Sequence, residues 1–193
     1  MRVLVRDVVN RNLLAGRPTI AVITTAEGTD HAFVIAGCAS YDGRGLKPGI
    51  STGAEVVQLM GEPAMRWQDP DGSEQLAYAR GPAGFATFMV RIDSKGVMTS
   101  LENVLDMKHF ALIREGMDKE QVLRTLGPSQ PQWTVYFDRR DELVWEWRYC
   151  DAWNEPARFD VLFDNTTKKV RTTQSYPESM IRRFREVCGN EPQ

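Results

Sequence analysis

The sequence predicts an α+β protein built of two tandem repeats, αβββ followed by ααβββ, each a short helix or helix pair on an antiparallel meander. Three observations lead there. The stretch ISTGAEVVQLMGEP at 50–63 has an echo in IREGMDKEQVLRTLGP at 113–128. Runs of alternating apolar and polar residues come after each copy, and clusters of Gly, Pro, Asp and Asn separate those runs.

The first 37 residues read as a degenerate signal-peptide-like leader. Arginines stand at 2, 6, 11 and 17, and the apolar stretch TIAVITT occupies 19–25, but Glu27, Asp30 and His31 break the apolar run beyond it. The segment ends in Ile35-Ala36-Gly37-Cys38, which resembles the lipobox of bacterial lipoproteins. In such a box the cysteine is lipidated and becomes the mature N-terminus, so Cys38 is the expected lipid-attachment residue and 38–48 a linker.

The first repeat is expected at 49–104 and the second at 105–175. A shift of 66 residues carries Thr52 onto Asp118, Glu55 onto Gln121 and Gly61 onto Gly127. Thr52 and Asp118 are N-caps, whose side chains accept from the first free backbone N–H groups. Glu55 and Gln121 reach back to complete a capping box. Gly61 and Gly127 end each helix, and Pro63 and Pro128 block continuation. Lys119, Glu120 and Arg124 are left for solvent. Strands are expected near 75–80, 86–92 and 97–102, and again near 142–149, 157–163 and 168–174, with turns at DPDG, GPAG, DSKG and DNTTK. Leu143, Trp145, Trp147 and Tyr149 share one face, while Glu146 and Arg148 point the other way. A further helix capped by Asp106 runs to Gly116, and a C-terminal helix is expected at 178–187 within a tail of 176–193.

Composition narrows the function. The 193 residues carry a formal net charge of -2 and a pI near 5.8, which gives no electrostatic footprint for nucleic acid. Of three cysteines, Cys150 and Cys188 remain if Cys38 is lipidated, an even number able to pair in an oxidising compartment or to stay free. No pair has the spacing of a zinc site.

The segments HFALIREGMDKEQVLRTLGPSQP (109–131), LVWEWRY (143–149) and FDVLFDNTTKKVRTT (159–173) resemble the BamE (SmpA/OmlA) domain of outer-membrane lipoproteins. That family carries a GMT-x-x-x-V-x-x-x-L-G-x-P core and a W-x-Y strand; here Asp118 takes the place of the threonine. The tandem layout is similar to β-lactamase inhibitor protein. The resemblance implies a non-catalytic cell-envelope lipoprotein. It would be anchored in the outer membrane through its lipid, face the periplasm, and bind or scaffold envelope proteins, as in outer-membrane protein assembly. The other reading is a soluble periplasmic inhibitor of a β-lactamase-type hydrolase.

Candidate chemistry is sparse. His109 falls in the first turn of a helix, where exposure is expected. No serine has nucleophile-elbow surroundings, and no phosphate-binding glycine loop occurs. The acids Asp138, Asp141, Glu142, Asp151, Glu155, Asp160 and Asp164 read as solvated turn residues. The sequence therefore names no catalytic residue, metal ligand, cofactor or small-molecule substrate. Arg80, Phe85 and Trp153, in loops, are the candidates for protein contact because Arg and aromatic side chains anchor interfaces.

Overall fold

The computed structural model describes residues 42–80, 84–181 and 188. The chain divides into residues 1–40 and 41–193, and both sheets belong to the second unit. Helix α1 (Gly53–Met60) leads into β1 (Met65–Gln68), β2 (Glu74–Ala79), β3 (Thr87–Ile92) and β4 (Met98–Asn103), paired in that order as one antiparallel sheet. Two helices come next, α2 (Met107–Phe110) and α3 (Lys119–Leu126). The second sheet orders β5 (Val135–Phe137), β6 (Glu142–Cys150), β7 (Pro156–Asp164) and β8 (Val170–Pro177).

This corrects the expected α+β class. Two four-stranded antiparallel sheets dominate, so the repeats are sheet-rich rather than helix-plus-sheet units. The six predicted strands are present, but each sheet opens on an edge strand that the strings αβββ and ααβββ omit. With four residues in β1 and three in β5, these edges are too short to display alternation. The helix expected to run from Asp106 to Gly116 is only four residues long. Of the expected C-terminal helix, residues 178–180 form a single 3-10 turn, and 182–187 lie outside the described residues.

The duplication is reproduced at the joints. Thr52 Oγ1 accepts from Glu55 N while Thr52 N donates to Glu55; Asp118 and Gln121 exchange the same pair of bonds. Gly61 (φ 82, ψ -165) and Gly127 (φ 71, ψ -169) close the two helices in a conformation that side chains resist. Thr52 bridges Val97, and Asp118 bridges Lys169. Each sheet also has a register shift at the same place, between Arg91 and Ile92 and between Leu162 and Phe163.

Alternation assigns the faces. Helix α1 lays Val56 and Met60 on the inner face of the first sheet, against Leu76, Tyr78, Phe88, Val90, Ile92 and Met98. The outer face of that sheet, with Trp67, Ala77 and Met89, joins α2, α3 and the inner face of the second sheet in one larger core. Phe110 stacks on Phe159 at 4.0 Å and meets Tyr149 edge-on, a contact type that adds to simple burial. Gly127 lies so close to the first sheet that a Cβ there would stand 2.7 Å from Thr87 Cγ2. Its carbonyl accepts from Trp147 Nε1 at 3.3 Å. Arg124, expected in solvent, pairs with Asp69 at 2.7 Å and covers the Trp67 ring. Lys119 likewise sits over Trp145 and Phe163. Both cations are held by groups distant in sequence.

Candidate functional site

The second sheet turns its outer face away from this core. Strand pairing sets Glu146 opposite Asp160 and Arg148 opposite Arg158, two like-charge pairs side by side. Such pairs repel when directly opposed, and the conflict is resolved diagonally. Arg158 reaches Glu146 and, through Nε, Glu178 at 2.6 Å. Arg148 grips Glu178 through Nε and Nη2 at 2.7 and 2.8 Å, the two-bond geometry that suits a guanidinium and a carboxylate. Tyr176 donates to Glu146 at 2.8 Å and Gln174 to Asp160 at 2.8 Å. All five charged residues are buried. Trp133, on the 3-10 turn Pro131–Trp133, covers Arg158 at 3.7 Å, and Phe85 covers Arg148 at 4.2 Å.

This arrangement sets the electrostatics. Burial opposes ionisation of Glu178, yet Arg148 and Arg158 together hold its carboxyl below the usual range. Asp160 lies the other way: burial pushes it up to about 6, the nearby Glu146 adds to the rise, and the Gln174 hydrogen bond opposes it. Asp160 Oδ1 is buried with no hydrogen-bond partner. The expectation that Glu142 and Asp160 are solvated turn residues is therefore corrected. Both are buried on the central strands β6 and β7, which have a strand on either side. Counting the register of the meander would have set the four charges opposite one another; their burial depends on covers supplied from elsewhere in the chain.

The three residues proposed for protein contact are not brought together. Phe85 is committed to Arg148. Arg80 lies over the Phe88 ring at 6.0 Å. Trp153 alone is presented, 82% exposed at the tip of the β6–β7 turn. That turn is braced: Asp151 Oδ1 accepts from the backbone N–H groups of Trp153 and Glu155, both at 2.9 Å. Asn154, in the left-handed region at φ 60, donates through Nδ2 to the Cys188 carbonyl. Cys150 and Cys188 are joined by a disulfide at the same end of the sheet, so of the two states open to them the structure has the bridge. Met180 and Ile181, just past β8, are also exposed, at 75% and 58%. The predicted helix caps Thr52, Glu55, Gly61, Asp118, Gln121 and Gly127 all occupy their expected positions. Cys38 and the leader lie outside the described residues.

His109 is buried rather than exposed. Its Nδ1 stands 2.7 Å from Asp106 Oδ1, which also caps its backbone N–H, and its Nε2 is 3.6 Å from Glu102. These two acids hold the ring in place, while its neighbour Phe110 enters the core. Among the described residues, no group of three His, Cys, Asp or Glu side chains is placed to hold a metal ion. No helix of the described residues is long and apolar enough to cross a membrane. Comparisons with protein-family models, curated proteins and solved structures found no match to this chain.

Proposed function

We propose that the chain is a non-catalytic, BamE-like envelope lipoprotein, anchored to the outer membrane through Cys38, that binds another envelope protein with the Trp153 end of its second sheet. One observation carries the binding reading: a tryptophan left 82% exposed on a turn locked by Asp151, Asn154 and the neighbouring disulfide. A rigid aromatic loses little conformational freedom on binding, which is why such residues dominate interface energetics. Met180 and Ile181 enlarge the apolar surface at that end. The Cys150–Cys188 bridge supports an oxidising compartment, where structural disulfides persist.

The test is capture from detergent-solubilised envelopes with the full chain and Trp153→Ala. An interface anchor is worth about 2 kcal/mol, so the variant should bind its partner roughly 30-fold more weakly with an unchanged thermal midpoint. Equal capture by both proteins removes Trp153 from the interface. The anchor is checked separately: Cys38→Ala should abolish incorporation of a palmitate analogue, and persistent labelling refutes it.

A further inference from the structure

Among the described residues, the buried network on the outer face leaves one carboxylate without a guanidinium partner. Arg148 and Arg158 stand on this face with Glu146, Asp160 and Glu178. The groups that act on Asp160 among the described residues are Glu146 from β6, Arg158 from β7, and Gln174 and Tyr176 from β8. Glu178 takes both guanidinium groups, Glu146 takes Arg158 and Tyr176, and Asp160 is left with Gln174. Its second oxygen, Oδ1, is buried and unpartnered on a residue only 3% exposed, directly across the strand pair from Glu146. A fixed negative charge in such a place is costly, whereas a proton held there removes it.

We propose that Asp160 holds a proton across the strand pair from Glu146, and that this proton latches Trp133 over the outer face of the second sheet. With the proton in place, Arg158 stays committed to Glu146 and Glu178, flat beneath the indole. When the proton leaves to solvent, the ionised Asp160 competes with Glu146 for the same guanidinium. Arg158 then turns toward Asp160 and its stack with Trp133 is lost. The turn carrying Trp133 is tied to the sheet by Gln130 N, which donates to the Glu146 carbonyl at 3.0 Å, so the ring can move while the segment stays attached. Burial and the Glu146 charge place the event in mildly acidic solution, since they raise the Asp160 carboxyl to about 6.

Fluorine NMR of the full chain labelled with 5-fluorotryptophan, titrated from pH 4.5 to 8, tests the latch, with the Trp133 resonance assigned from Trp133→Phe. The expected result is a sigmoidal shift of the Trp133 resonance with a midpoint near pH 6, while the resonance of exposed Trp153 stays fixed. Asp160→Asn, neutral at every pH, should hold Trp133 at its acid position throughout. Glu146→Gln, which removes the repelling charge and frees Arg158 for Asp160, should move the midpoint at least one pH unit lower. A Trp133 resonance that does not titrate in the natural chain overturns the proposal, and so does the same titration persisting in Asp160→Asn or an unmoved midpoint in Glu146→Gln.

Discussion

Replacing Gly127 with alanine tests how the two repeats are joined. The glycine holds φ 71 and ψ -169, a backbone region that costs an L residue about 1–3 kcal/mol. Its added methyl would also stand 2.7 Å from Thr87 Cγ2 and 3.4 Å from Ala77 Cβ, both on the first sheet. Overpacking of that kind costs a further 1–3 kcal/mol or so, because neither a β-branched side chain nor a strand can retreat cheaply. The expected loss is therefore about 2–6 kcal/mol, a large part of the stability of an ordinary domain. Gly96→Ala supplies the contrast. That glycine has φ 80 with open space where the methyl would go, so only backbone strain of about 1–2 kcal/mol applies. Thr87→Ser removes the clashing methyl and should restore about 1–2 kcal/mol to the Gly127→Ala protein as a coupling energy. Urea unfolding of the four variants and the natural chain measures all of these terms. If Gly127→Ala is no costlier than Gly96→Ala, or Thr87→Ser recovers nothing, the repeats do not meet through this contact.

Two further predictions concern the second sheet. The Cys150–Cys188 bridge closes a loop with a sequence separation of 38, worth about 4 kcal/mol on the chain-entropy model, so reduction should lower the urea midpoint, and an unchanged midpoint would show the bridge to be energetically idle. The folded-state pKa of Asp160, about 6, lies above its ordinary value of 3.8, so its proton favours the fold. That stabilisation is complete below about pH 4 and fades as pH rises to about 6, by about 2 kcal/mol once discounted for the partly exposed groups beside it. Asp160→Asn should remove this slope and raise stability at pH 7.5 by a similar amount; parallel stability–pH curves for the two proteins would contradict the assignment.

Local instructions were the legible part of the fold. Thr52, Glu55 and Gly61, and their counterparts Asp118, Gln121 and Gly127, act within one short helix, so spacing alone identifies them. The row Leu143, Trp145, Trp147 and Tyr149 was legible for the same reason, because alternation is a property of the strand itself. What spacing could not show was which outer faces are covered. Arg124 and Lys119 have the pattern of solvated helix residues, yet their partners Asp69, Trp67, Trp145 and Phe163 are remote in sequence. Asp160, Phe85 and Trp133 were not legible because each takes its meaning from a neighbour in another strand or loop. The disulfide pairing was open between two states, and only the meeting of the β6 end with residue 188 decides it. Short β1 and β5 carried no period to read, and their absence from the prediction weighted the expected class toward helix.

The outer faces of the two sheets differ in what can pack on them. Aligning the matched register shifts sets Met89 against Asp160, Ala77 against Glu146 and Thr87 against Arg158. On the first sheet these positions are small or apolar and admit Gly127 and the end of α3 within van der Waals reach. On the second they are charged, mutually paired and covered by Trp133 and Phe85. A third unit would have to break that network and bury its remnants unpaired, which costs several kcal/mol before any apolar gain. The charged face is thus closed to the kind of packing that joins the first sheet to α3. On the proposed binding reading, surface for a partner is left at the edges and ends of the second sheet. There, Trp153, Met180 and Ile181 stand at one end, and Val135, Tyr136 and Phe137 lie exposed along the β5 edge. The braced turn under Trp153 makes the end the better prepared of the two on that reading, because the indole is already held in place.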